Sequence, residues 1–253
     1  MEFFVDKQSI VRKIWGNSDT ILFIFAGASA EFALNKAVDW LYFTGRLPAD
    51  PLGRLFSTVA YARLIVFSEL NKANKVIDKM YFIHAAVEEK WQAKIPDWAY
   101  RDVLFMLIDY SIRSYEVLER KLTADEKEEV FAVFKKVGDR MRLKDLPATY
   151  NQWLVVREQH LNDDMIYSAY TADLFKQYRK HLGWFRYFIL KQSQILVAPK
   201  QVNTLLKLGR ISLLTPGVFL YKIIRAVKMD WLIKQIILPQ EYKAQIKALD
   251  SAA

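Results

Sequence analysis

Three histidines, His84, His160 and His181, are the imidazole ligands of this 253-residue sequence, which has no cysteine. Without cysteine there can be no disulfide framework, thiolate metal site, iron–sulfur cluster or cysteine nucleophile. No His-Glu-x-x-His pair, Glu-x-x-His element, Gly-rich phosphate loop or Gly-x-Ser-x-Gly elbow occurs. A multi-histidine metal site could draw only on those three residues. Around His84, the residues Ile77, Met80, Val87 and Trp91 recur at spacings of three and four. That spacing is one helical face, so the imidazole is expected to point inward among apolar side chains. A lone inward histidine is most often a hydrogen-bonded core residue. The alternative is a proximal haem ligand, since a single imidazole in an apolar pocket stays neutral and can donate its lone pair.

Two further constellations could serve such a site. Arg54 and Thr58 stand four apart and share a face with Tyr61 and Ile65. By spacing alone this is an exposed arginine with a filler threonine. A functional reading makes Arg54 the partner of an anionic group such as a haem propionate, because a guanidinium fork matches a carboxylate. Asp109 and Arg113 are also four apart, with Glu116 three beyond. Asp109 sits in the apolar run Leu107-Ile108-Asp109-Tyr110, and a buried acid needs a partner, so a structural or catalytic salt bridge is expected there.

The elements that must position these groups read as helices. Gly (8) and Pro (7) are too scarce for the turns an all-β chain needs. A first helix is predicted from Asp6 to Trp15, and a second, apolar one after a cap at Ser18 or Asp19. Thr44 to Pro51 reads as a loop ending in an Asp50 cap, with Pro51 at the first helical position. Helices follow over Leu52–Glu69, Asn71–Trp91 and Pro96–Arg120. Thr123 and Glu126 form a capping-box pattern for the next, ending near Arg142. Another starts at Leu146-Pro147-Ala148-Thr149, with helical periodicity through Phe188. Pro199, Pro216 and Pro239 punctuate the remainder. About ten helices joined by short connections describe an all-α fold in a single globular domain over residues 1–253. No repeat or low-complexity linker divides it.

The 53% hydrophobic fraction is ample for a core. The N-terminus lacks a basic region followed by an apolar run, and Ile21–Ala30 is about half the length of a bilayer crossing. A cytoplasmic location is therefore expected, with any membrane contact peripheral. The net charge of +9 is concentrated: Lys176 to Lys234 holds twelve Lys/Arg against one acid, Asp230. Aromatics including Trp184, Phe185, Phe188, Phe219 and Trp231 are interleaved with them. Such a segment suits a helical surface whose cationic stems cover apolar area, an anionic lipid surface, or, least well, an RNA backbone.

The order of three segments carries a family likeness. Pro51-Leu52-Gly53-Arg54-Leu55-Phe56-Ser57-Thr58, then Ile83-His84-Ala85-Ala86-Val87, then Leu107-Ile108-Asp109-Tyr110-Ser111-Ile112-Arg113-Ser114-Tyr115-Glu116 resembles the catalytic domain of the MpaB-type oxygenases and rubber oxygenases (latex-clearing proteins). Leu122–Glu126 and Leu146–Thr149 fall where that family has similar segments. The resemblance implies an all-α, globin-like core binding haem b. It makes His84 the proximal iron ligand and has Arg54 and Thr58 line the haem. It implies dioxygen chemistry on an apolar, isoprenoid- or lipid-like small molecule, with orientation and exclusion of water supplied by the protein.

The chain also departs from the pattern. Ser29 and Ala30 stand where many relatives have a histidine before a proline. Asp102, Val103 and Leu104 replace a Trp-Val-His, and Glu88 and Glu89 replace an Arg-Gly. These departures leave room for a second reading, a non-catalytic haem or lipid binder. A third reading is a membrane-surface protein acting through its basic C-terminal third, in which Lys222, Arg225 and Lys228 take part.

Overall fold

A computed structural model describes residues 2–43 and 49–226, which form eleven helices and no strand. In chain order these are α1 (Ile10–Trp15), α2 (Ser18–Phe32), α3 (Val38–Phe43), α4 (Pro51–Phe67), α5 (Leu70–Trp91) and α6 (Asp97–Leu118). They continue with α7 (Ala124–Arg140), α8 (Tyr150–Asp163), α9 (Ala169–Val197), α10 (Lys200–Leu206) and α11 (Leu214–Ala226). The all-α expectation holds. No helix among the described residues is long and apolar enough to cross a membrane. The predicted loop at 44–48 and Pro239 lie outside the described residues.

Capping chemistry sets most boundaries. Asp50 accepts the amide of Gly53 at 2.8 Å, with Pro51 in the first turn. Thr123 and Glu126 close a reciprocal capping box, each side chain accepting the other's amide (2.9 and 3.2 Å). Three predicted boundaries move. α1 begins at Ile10 rather than Asp6, because Asp6 is occupied with the amide of Gln8 (2.7 Å) and Ser9 takes the amide of Val11 (3.0 Å). The cap of α2 is Asn17, not Ser18 or Asp19; its side-chain oxygen accepts from both Asp19 (2.9 Å) and Thr20 (3.3 Å). The helical run expected through Phe188 is interrupted between α8 and α9, where Ser168 starts a new helix.

The centre of the fold is α2 packed along α6, with α9, α1 and α7 around the pair. Both central helices are buried over much of their circumference: α2 has a nearly unbroken apolar run from Ile21 to Ala30, and α6 buries Asp102 and Asp109 along with its apolar residues. Their close approach depends on Gly27. A methyl group built there would lie 2.1 Å from two ring carbons of Tyr110, which is itself fully buried. Beside this crossing, Trp15 donates its indole N–H to the Ser111 hydroxyl (3.1 Å), and Ser111 donates on to the carbonyl of Leu107 (2.6 Å). The indole proton is therefore satisfied inside an apolar cluster.

The Gly27–Tyr110 contact gives the first prediction. Gly27→Ala should lower the urea midpoint, corresponding to a loss of about 1–3 kcal/mol, because overpacking outweighs alanine's better helix propensity. An unchanged or raised midpoint would show that the two helices can separate freely.

Candidate functional site

His84 lies in the second half of α5. The first half of that helix is held by burial of Ala73 and Ile77 and by Arg140 of α7. Arg140 donates to the carbonyl of Asn74 (3.2 Å) and pairs with Asp78 (2.6 Å). Past Tyr81, which stacks under Arg142 at 4.8 Å, the cover from α7 ends. The apolar face therefore opens toward its C-terminal end, where His84, Val87 and Trp91 are half-buried. Trp91 meets Trp40 of α3 edge-on, with ring centroids 4.0 Å apart.

The His84 ring is fixed from two sides. Its Nδ1 lies 2.8 Å from the carbonyl oxygen of Met80. A carbonyl can only accept, so Nδ1 carries the proton and, in the neutral ring, Nε2 carries the lone pair. Metal-ligating histidines are oriented in the same way, by donating the far ring proton to a backbone carbonyl. The donor chemistry at His84 thus fits the axial ligand that haem requires. Tyr100 of α6 stands edge-on to the imidazole, centroids 5.3 Å apart. The Tyr100 hydroxyl donates to Glu88 (3.0 Å), which also accepts the amide of Ile95 (3.0 Å). Burial and then the Glu88 charge hold the Tyr100 phenol above its ordinary pKa, so it stays a donor.

The structure does not gather the other sequence-derived candidates at this point. Thr58 is half-buried on α4, which packs against α5. Arg54 lies in the same helix, and its side chain falls outside the described residues. Asp109 does meet Arg113, at 2.5 Å, but Glu116 turns away to Lys121 and Lys127 (2.8 and 3.0 Å).

A second constellation, which the sequence reading missed, is buried between α2, α6 and α8. Arg157 of α8 makes a two-pronged pair with Glu31 of α2, both distances 2.6 Å. Its Nε–H and the second Nη2–H reach Asp109 at 3.1 and 3.0 Å. One turn along α8, His160 Nδ1 sits 2.5 Å from Asp102 and 3.0 Å from Asp164. Asn35 donates to the other oxygen of Asp102 (3.0 Å), and His160 Nε2 faces Glu31 at 3.7 Å. Asp102, His160 and Asp164 are also the one group among the described residues whose ligand atoms cluster tightly enough for a metal ion, within 4.8 Å.

Burial opposes charge on Glu31, Arg157, His160 and Asp102, and the pairing overrides it for the first three. For Glu31, burial raises the pKa, but Arg157 and His160 bring it down to about 2. For His160, burial lowers the pKa, but the hydrogen bonds to Asp102 and Asp164 and the nearby Glu31 carboxylate lift it to about 9. Arg157 is raised further above its already high value, burial notwithstanding, chiefly by Glu31 and Asp109. Asp102 alone follows its burial upward, against the pull of His160. At neutral pH the imidazole is therefore charged, and a cation could bind only by displacing the proton that Asp102 and Asp164 share. The cluster is an ion-pair clasp joining three helices.

Signals for it were present in the sequence. Glu31 is the only ionisable residue between Thr20 and Asn35, and Arg157 follows Trp153-Leu154-Val155-Val156. Each is a charge in an apolar run, as Asp109 is. What the sequence did not give was which acid met which base.

Two predictions come from the clasp. A raised His160 pKa adds stability that is complete below its unfolded value near 6.5 and is lost as pH rises through about 9. Glu31 adds stability that is present above about 4.5 and lost as pH falls toward 2. Urea unfolding should therefore show greatest stability near pH 5–6 and a fall of about 3 kcal/mol toward pH 9. His160→Gln should flatten the alkaline limb, whereas parallel curves for the two proteins would refute the assignment. Separately, Arg157→Met should cost about 3–5 kcal/mol by stranding two buried carboxylates, and a loss below 1 kcal/mol would contradict the pairing.

No curated protein and no solved structure matches the chain. One family does: the sequence profile described as "ER-bound oxygenase mpaB/B'/Rubber oxygenase, catalytic domain" matches residues 13–222. That span takes in α2 to α10 complete and includes both His84 and the buried clasp. The chain belongs to the mpaB/rubber oxygenase catalytic-domain family.

Proposed function

We propose that this protein binds haem b with His84 as the proximal iron ligand and acts as an oxygenase, using dioxygen on an apolar, isoprenoid- or lipid-like substrate. Membership of an oxygenase family supports the reaction class. The observation that carries the ligand assignment is the 2.8 Å contact from His84 Nδ1 to the Met80 carbonyl, which puts the proton on Nδ1 and the neutral ring's lone pair on Nε2. Haem, when bound, supplies the iron at which dioxygen is activated.

The protein's own groups position and insulate. The Met80 carbonyl and the edge of Tyr100 fix the imidazole plane. Glu88 holds the Tyr100 hydroxyl in place, tying α5 to α6 beside the ligand. Arg54 pairs with a propionate in this reading, and Thr58 borders the porphyrin from α4. Val87 and Trp91 continue the apolar wall that excludes water from a hydrocarbon substrate.

The test is the visible absorption spectrum of the protein supplied with haem, before and after dithionite, followed by oxygen consumption with long-chain alkenes. A Soret band that is present in the wild type and lost in His84→Ala is expected, with oxygen uptake dependent on alkene. A Soret band of equal intensity in both proteins would reject His84 as ligand. Stoichiometric haem without uptake on any alkene would favour the carrier reading instead.

A further inference from the structure

The surface formed by the second half of α9, the loop after α10 and α11 has a composition that the oxygenase reading does not use. Eight of the sixteen exposed large apolar side chains among the described residues fall between Trp184 and Ile223. The same stretch of chain, from Trp184 to Ile223, carries six Lys/Arg and no Asp/Glu. Exposed apolar side chains and the exposed cations Lys207 and Arg210 therefore lie in one segment of the chain.

Local geometry accounts for the exposure. α9 is broken at Gly183, whose φ of 72° and ψ of 173° are outside the helical region, and a side chain there would be strained. Immediately after the break, Trp184 is 77% exposed and its neighbour Phe185 is 41% exposed. Phe188 follows one turn on, also exposed. Gln192, a turn further along this stripe, fixes the next segment: its carbonyl accepts the Ser212 hydroxyl (2.8 Å) and its side chain accepts the Leu213 amide (2.7 Å). That anchoring presents Ile211 and Leu213 at 81% and 68% exposure beside Arg210. α11 packs on α9 and is held to the body by Arg225–Glu119 at 2.7 Å, yet it leaves Phe219, Leu220 and Ile223 exposed.

We propose that this face, built by Trp184, Phe185, Phe188, Ile211 and Leu213 with Lys207 and Arg210 at its edge, docks on an anionic lipid bilayer. The charge favours this occupant over two others. A two-fold contact with a second copy would set the same cationic surface against itself. A nucleic acid would use the cations and could stack on the aromatics, but it has no use for the projecting aliphatic Ile211 and Leu213. At a bilayer each class of side chain has a place: cations at anionic headgroups, Trp184 at the interface, and aliphatic and Phe side chains at the acyl boundary. The docking is independent of haem.

Sedimentation with phosphatidylserine-containing vesicles and with pure phosphatidylcholine vesicles, at low and high salt, tests the proposal on the whole chain without added haem. The wild type should bind the anionic vesicles in a salt-sensitive way, with a blue shift of tryptophan emission that is lost in Trp184→Phe. K207Q/R210Q should weaken binding about tenfold or more, each cation near the headgroups contributing about fivefold. I211S/L213S should weaken it at least as far while keeping the wild-type far-ultraviolet circular dichroism, since both side chains are already in water. No binding to anionic vesicles, or binding indifferent to both double variants, would overturn the proposal. So would a dimer that I211S/L213S dissociates without change in vesicle binding, or retention on single-stranded RNA in preference to vesicles. None of these outcomes bears on His84, which is read from the haem spectrum alone.

Discussion

A guanidinium taken out of water must find an acceptor for each N–H it presents, and Arg157 finds them on two other helices. Its pairs with Glu31 and Asp109 bring α2 and α6 into register with α8, and His160 repeats the arrangement one turn later with Asp102 and Asp164. Removing any one partner leaves a charge in a medium that cannot solvate it. The angle of α6 is thus set on one face by the clasp. Its other face carries Tyr100, two residues from Asp102 and about 200° around the helix, against His84. One helix connects the buried ion-pair clasp to the imidazole proposed to hold iron.

The places where the chain departs from its family's pattern acquire roles in this arrangement. Asp102, standing where relatives have the start of a Trp-Val-His, is the acid that holds His160 and Asn35. Glu88, in place of the Arg of an Arg-Gly, takes the Tyr100 hydroxyl and caps the approach to α6 through Ile95. Ser29, in place of a histidine, donates to the Ala26 carbonyl and accepts from Gln194 of α9. In each case the residue present ties two helices together. A member altered in this way keeps His84 and rebuilds its surroundings with its own hydrogen bonds.

Helices with local signals were legible in the sequence. Asp50 with Pro51 and Thr123 with Glu126 announce their helix starts within a few residues, and α5 follows its periodicity to Trp91. What was not legible depends on contacts distant in sequence. The spacing of Ile77, Met80, His84, Val87 and Trp91 assigns one face but cannot say how far α7 extends over it, so the half-open setting of His84 emerges only from the packing of Arg140 and Arg142. Glu31 and Arg157, 126 positions apart, each looked like a lone charge in an apolar run. Only the crossing of α2, α6 and α8 shows that they answer one another.

The central claim is that His84 Nε2 coordinates a porphyrin iron while Nδ1 is held by the Met80 carbonyl. The most direct measurement is resonance Raman spectroscopy of the dithionite-reduced, haem-loaded protein, made with and without isotopic labelling of histidine nitrogen. The account predicts an iron–imidazole stretching band that shifts on labelling, is absent from His84→Ala, and returns in that variant when free imidazole is added. A reduced haem with no label-sensitive band, or one whose band survives in His84→Ala, would contradict it.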